Sequence, residues 1–496
     1  MKRPVFALLS CVFFLMLSTT ILTTEPQAGA QAPVSSKSQT CMDCHELYNP
    51  GLVWDWRSSR HAQTSPEIAL QKRAMERRVS SRTIPDDLKT TAVGCYECHS
   101  LNPFLHQDNF EHFGERINVV VSRNDCKTCH TLEADQYGES KKAHARGNLK
   151  NNPVYDSLVE AVLGVKIVKG LKITSQKASE TTRGESCFNC HGTAITVAGT
   201  KIVSIDMGDI EVPELTGWPN QGVGRINPDG SLGACTACHP RHSFSIEIAR
   251  KPYTCGQCHL EPDVPAYNVY KESKHGNIFE SKKESWTWDA VPWKAGYDFK
   301  APTCAVCHNS TVTALTGEAI AERNHNFGAK LWTRLFGLIC SHPQPKQGDT
   351  SIIRNKDGLS LPTTLTGEPA AEFLIGPEEQ RKRQENFQKV CHACHGSSWA
   401  GGHFTQLETT IAESDRMVLA ATQLLSEAWK RKVADQSDLF DEAIEQKWVE
   451  QWVFYANSMR YASAMAGPDY ASFKNGWWLA THNLQEMRDR IESLKK

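Results

Sequence analysis

Beyond residue 30 the chain has no apolar run long enough to span a bilayer, which excludes an ordinary membrane helix from that stretch. Charge of one sign is missing as well. The 55 Lys and Arg are matched by 56 Asp and Glu, and a net charge of −1 offers no cationic surface for gripping nucleic acid or an anionic membrane. No segment recurs at a fixed interval, so a simple solenoid is ruled out. From about residue 40 to 400 there is also little long periodicity, because Gly, Pro and Asn keep interrupting it.

Spare cysteine is the last thing in short supply. Sixteen of the 18 cysteines fall into eight Cys-x-x-Cys-His units, pairing Cys41 with Cys44, Cys95 with Cys98, Cys126 with Cys129, Cys187 with Cys190, Cys235 with Cys238, Cys255 with Cys258, Cys304 with Cys307 and Cys391 with Cys394. Only Cys11 and Cys340 remain, so no disulfide framework can be built. In such a unit two thiols add across the vinyl groups of a haem and the adjacent His binds the iron. The eight histidines are His45, His99, His130, His191, His239, His259, His308 and His395. Zinc is the other metal that paired cysteines hold, but it needs two further ligands at regular spacing, and a trailing His in every unit favours haem. The units start 54, 31, 61, 48, 20, 49 and 87 residues apart. The interval of 20, between Cys235 and Cys255, forces two haems almost into contact, so electrons can pass between them.

The first 30 residues read as an export signal: basic Met1-Lys2-Arg3, an apolar run from Val5 to Leu17, and a small-residue end at Ala28-Gly29-Ala30. Cys11 sits in a loose lipoprotein-like box but is followed by more apolar sequence. Export to a periplasm or an equivalent compartment suits a cofactor attached outside the cytoplasm. Haem propionates make the loaded chain acidic, a further argument against nucleic acid as a partner.

Three regions are expected: the signal over 1–30, a haem-rich core of short helices and loops over 31–404, and a helical bundle over 405–496. The fold class is therefore mainly α, a multihaem core with little β. A small hairpin is expected within 199–224, where Ile202, Ser204 and Asp206 alternate. The long gap after Cys304 carries turn signals and should form a surface or pocket-lining loop. Helical spacing of Val418, Leu419, Thr422, Leu425 and Trp429, then of Ile444, Trp448, Trp452, Tyr455 and Met459, predicts helices over about 405–432, 435–466 and 481–496. The Trp stripe is read as helix packing rather than a haem-stacking surface.

Eleven histidines lie outside the units, and an electron-carrying haem commonly takes a second His. Seven such ligands would leave one iron open to a small substrate. The seven are read as His61, His112, His144, His242, His275, His325 and His403; His392 lies between two thioether cysteines, and His106, His342 and His482 are spare.

The segments Cys235-Thr-Ala-Cys-His-Pro-Arg-His-Ser-Phe-Ser, Ala249-Arg-Lys-Pro, Cys255-Gly-Gln-Cys-His and Tyr270-Lys-Glu-Ser-Lys-His-Gly resemble the octahaem hydroxylamine oxidoreductase family. Phe110-Glu-His-Phe-Gly and Asn152-Pro-Val-Tyr support the likeness, which covers essentially the whole chain after the signal. The resemblance implies a homotrimer with eight haems per chain, seven of them bis-histidine. It implies one five-coordinate catalytic haem at Cys235, Cys238 and His239, acting on hydroxylamine, hydrazine, nitric oxide or nitrite, with a small redox partner such as a c-type cytochrome.

Two departures bear on direction. Oxidising members follow the Pro-Asp turn with His, whereas here Asp263 is followed by Val264. Asp263 is read as a proton relay, with a plain turn residue as the alternative. Oxidising members also cross-link the catalytic haem to a Tyr from the C-terminal region of a neighbouring subunit; Tyr470 is the candidate here, with Trp477 or Trp478 as replacements. His342, beside Cys340, could restore an acid–base group. The expected function is an exported oxidoreductase of small nitrogen compounds, reductive in direction; the alternative is a non-catalytic electron-transfer subunit.

Overall fold

The computed structural model describes residues 32–437 and 439–494. The export signal and Cys11 lie outside the described residues.

The chain is mostly helical, and the attachment units explain why its helices are short. Residues i, i+3 and i+4 of a helical turn share one face, so a single turn turns both thiols and the imidazole of a unit to the same side. Cys95–His99, Cys187–His191 and Cys304–His308 are each five-residue helices of this kind. The first unit lies within the longer Ser36–Tyr48, whose start is capped by Ser35 Oγ accepting from Ser38 N at 3.1 Å. Ser38 Oγ in turn donates to Glu97 at 2.6 Å and accepts from Tyr96 N at 3.0 Å, tying the first unit to the second. The contact is close enough that a Cβ on Gly94 would sit 2.4 Å from Ser38 Oγ.

Strand content is confined to small sheets of two or three strands. The expected hairpin is present as Thr196–Ile205 against Gly208–Thr216, starting earlier than the alternation suggested because pairing continues past a register shift at Val197 and Gly199. A second hairpin, Val165–Lys169 with Lys172–Gln176, was not anticipated.

The gap after Cys304 is not a surface loop. Leu338, Ile339, Cys340, His342, Gln344, Ile353, Leu361, Thr363 and Leu374 are all buried. Irregular backbone survives burial only when its polar groups are partnered, and Thr363 does much of this: its Oγ1 donates to Leu338 O at 3.0 Å and accepts from Ile339 N at 3.1 Å.

Three long C-terminal segments are Ser397–Lys430, then Ala443–Val449 running through a π-helical stretch into Ala456–Met465, and Trp477–Ser493. They bury Val418, Ala421 and Leu425 against Trp448, Trp452, Met459 and Met487 in one core. Trp448 Nε1 donates to Thr422 Oγ1 at 2.9 Å and Trp429 Nε1 to Glu445 at 2.8 Å, so the Trp stripe packs helix on helix, with Trp452 Nε1 left buried without a partner. The 404/405 division falls inside Ser397–Lys430, and Phe404 and Leu407 pack on Trp332 of the preceding region. Among the described residues no helix is long and apolar enough to cross a membrane.

Candidate haem centres and a proton-bearing pocket

Whether the units fit haem can be tested on their imidazoles. Two imidazoles on opposite sides of one metal ion, each bound at about 2.0–2.1 Å, place their ring centres about 6 Å apart. His45 and His112 are 6.2 Å apart, His61 and His130 6.2 Å, and His275 and His395 6.1 Å. Unit histidines also have the far nitrogen anchored, as metal-bound imidazoles do. Nδ1 meets Asn49 Oδ1 at 3.0 Å for His45, Asn118 O at 2.7 Å for His99, Arg78 O at 3.1 Å for His130 and Ala145 O at 3.3 Å for His191. That leaves Nε2 for iron. Burial lowers the pKa of His239 and His308 to about 4 and of His259 to about 3, which keeps each imidazole neutral with a lone pair to give. The residues fit the group.

His242 lies in the field of His99, and His325 in the fields of His239 and His130. Three of the seven expected second ligands, His61, His112 and His275, thus have a unit histidine at the spacing of two imidazoles on one metal ion. His144 and His403 have other neighbours as well. His144 Nε2 lies 3.1 Å from Gly138 O, and Trp399 stacks between His395 and His403, 4.0 Å from the first and 5.4 Å from the second.

The open iron is expected at the fifth unit, and the unit histidine on which Asp263 acts is that of the fourth. The Asp263 carboxyl and the His191 imidazole shift each other's protonation, and Asp263 also acts on Cys187 and Cys190. The carboxyl of the Pro-Asp turn is thus within electrostatic reach of the fourth unit. Burial raises the Asp263 pKa, against its backbone hydrogen bonds and the field of His191.

Contacts among the thiols show how the units connect. Cys41 acts on Cys95, Cys129 on Cys98, and the Cys126 thiol hydrogen-bonds Cys235. Cys238 feels Cys255, Cys255 meets Cys304, and Cys307 feels Cys391. This is one continuous line through the first, second, third, fifth, sixth, seventh and eighth units. The fourth joins it from the side, through Cys190 against Cys258.

Tyr470 and His342 are both buried. Tyr470 is fully buried, and its hydroxyl donates to Glu261, which also accepts from Asn475 at 3.0 Å. It fastens the C-terminal region to the Pro-Asp turn. The tyrosine whose hydroxyl shares the field of Asp263 is Tyr461, with its pKa raised to about 12 by burial. His342 is buried, its Nδ1 2.7 Å from Pro343 O and its Nε2 without a partner. Burial, then Arg334, hold its pKa down to about 3, so it is neutral and cannot donate a proton from Nε2. Cys340 is a core thiol.

Sequence reasoning missed Arg334. It faces His342 across a two-residue strand pair, and its charge reaches His191, Tyr461 and Lys141. Nε donates to Phe336 O at 3.0 Å, leaving its terminal nitrogens without a carboxylate among the described residues. A single arginine among Trp332, Thr333, Leu335 and Phe336 gave no signal of its own. Lys141, lowered to about 7 by burial, Arg334 and Arg383, adds to the same cationic region.

Comparisons agree with this chemistry. The family described as "Seven times multi-haem cytochrome CxxCH" matches residues 229–324, and "Cytochrome c554 and c-prime" matches 40–113 and 125–207. A solved structure described as a hypothetical multiheme protein is 43% identical, with a TM-score of 0.88 over 94% of this chain and 97% of that one. The chain therefore belongs to the multihaem c-type cytochromes, with covalently bound haem. A probable nitrite reductase-hydroxylamine oxidoreductase fusion protein of Kuenenia stuttgartiensis is 24% identical over 83% of this chain, which spans 40% of that relative's length. A chain of the Kuenenia stuttgartiensis reducing HAO-like protein complex, 17% identical, shares the fold with a TM-score of 0.59 over 92% of this chain and 84% of its own.

Proposed function

We propose that this chain is an octahaem oxidoreductase that reduces a small nitrogen oxyanion, nitrite, and hydroxylamine in turn, at its fourth unit. The observation that carries this is that Asp263 and Arg334 both act on His191, with Tyr461 in the field of both, whereas His45, His130 and His395 each have a second imidazole about 6 Å away. A haem held by Cys187, Cys190 and His191 supplies an iron that takes up substrate and passes it electrons. The chain's own groups do the rest. Arg334 and Lys141 draw in an anion and favour nitrite over neutral hydroxylamine at low concentration. Asp263, kept protonated to higher pH by burial, gives up a proton as oxygen leaves as water, and Tyr461 is a second hydroxyl donor beside it. Neutral His342 accepts a hydrogen bond at Nε2. Reduction of nitrite consumes protons, which a cationic pocket with a buried carboxyl provides for better than it provides for an oxidation that must discharge them.

Val264 in place of an imidazole favours a second reading, a pure electron carrier. Electron paramagnetic resonance of the isolated protein separates the two. One high-spin ferric haem, together with nitrite consumption driven by an artificial reductant, is expected; low-spin haems throughout and no nitrite consumption would overturn the proposal.

A further inference from the structure

The hairpin Val165–Lys169 with Lys172–Gln176 stands bare. All ten of its strand residues are exposed. Its register pairs Val165 with Gln176, Ile167 with Thr174 and Val168 with Ile173, so aliphatic side chains project from both faces: Val165 and Ile167 from one, Val168 and Ile173 from the other. Leu171 at the tip is 103% exposed, the two-residue turn being made by Gly170 at φ +63°. A two-stranded ribbon with no cover is marginal by itself, so these faces are built to be covered.

Charge says by what. Between Glu160 and Glu180 the only charged residues are Lys166, Lys169, Lys172 and Lys177. Lys169 and Lys172 are directly opposite each other, a like-charge pair that costs stability until an anionic surface meets it. Setting these four lysines aside from a chain of net charge −1 leaves −5 for the remainder, before haem propionates add to it. The arm and the body of the same molecule are thus complementary. A lipid surface fits less well, since it would take one face or the tip, whereas here both faces are apolar and lysines flank the tip. The root is fixed in advance: buried Arg183 pairs with Glu160 and, at 3.3 Å, with Asp156, and Ala178 N donates to Glu160 at 3.4 Å. A preorganised arm loses little freedom on docking.

We infer that this hairpin is a clasp that docks on the acidic body of a second copy of the chain. The test is sedimentation velocity on the haem-loaded full chain across a concentration series, at low and high salt. The expected result is a species larger than one chain whose dissociation constant rises at least tenfold in K169E/K172E, with a weaker salt dependence, and in V168D/I173D, with the haem spectrum unchanged in both. A wild-type chain that stays monomeric at micromolar concentration overturns the inference. So does assembly that both variants leave intact. Loss of binding to anionic phospholipid vesicles in K169E/K172E with assembly unaffected also overturns it, in favour of a membrane-facing arm.

Discussion

His106 and Asp125 are joined in the interior, imidazole Nε2 3.1 Å from carboxylate Oδ2, with neither side chain more than 1% exposed. Asp108 holds the opposite nitrogen at 3.0 Å. Asp125 also caps the turn that carries the third unit, accepting from Ser122 N at 2.8 Å and from Asn102 at 2.8 Å. A histidine read as spare from the sequence is the pin between the second and third units.

Burial lowers the His106 pKa, but the two carboxylates outweigh it and raise it to about 9. A folded pKa above the unfolded value of about 6.5 means that the stabilisation is complete below pH 6.5 and lost as pH climbs through 9. Thermal midpoints of the loaded protein should fall over that window. His106→Asn should flatten the fall and cost about 3–5 kcal/mol at pH 6, because two carboxylates are left facing a neutral side chain.

Asp263→Asn keeps the shape of the turn and removes the proton. Turnover of nitrite should fall by about 10²-fold or more while the spectra of the paired haems stay the same. Steady-state assays with an artificial donor check this, and unchanged turnover would return Asp263 to a turn residue.

The two tyrosines should separate. Tyr461→Phe is expected to lower turnover with little loss of stability. Tyr470→Phe should leave turnover near normal and lower stability by about 1.5–3 kcal/mol, the worth of a hydroxyl bonded to a charged group. Parallel kinetics and denaturation of both variants decide it, and the reverse pattern would assign the pocket to Tyr470.

Arg334→Gln removes the cation whose terminal nitrogens lack a carboxylate. KM for nitrite should rise at least tenfold, and KM for neutral hydroxylamine much less. Equal changes for both substrates would make Arg334 a packing residue.

What was legible in the sequence was local. A Cys-x-x-Cys-His unit states its chemistry within five residues, and helical periodicity exposed the Trp448 and Trp452 face. Even there the first long helix begins at Ser397, earlier than expected, running through Gly401 and Gly402 because Ala400 and Phe404 find a buried surface on the side they share. Contacts made across the chain were not legible. His275 meets His395 from far away in sequence, and Asp263 follows the sixth unit yet lies in the field of His191 in the fourth. Tyr461 and Tyr470 look alike as letters, and only their neighbours, Asp263 and Glu261, tell them apart. The stretch after Cys304 carries the turn residues of a surface loop, but Thr363 and Asn355 satisfy its backbone from within and allow it to be buried.

The side entry of the fourth unit, Cys190 against Cys258, has a kinetic consequence. In a series circuit a stalled centre stops all traffic; on a spur it stops only its own. On the function proposed above, haems held by the line would equilibrate electrons whether the pocket is occupied, empty or inhibited, and would act as a reservoir charged before substrate arrives. Each reduction then draws down stored electrons through one junction, and the partner that refills them need not keep time with the chemistry. Flash reduction should accordingly fill the line at the same rate whether or not nitrite is bound, with the substrate affecting only the discharge.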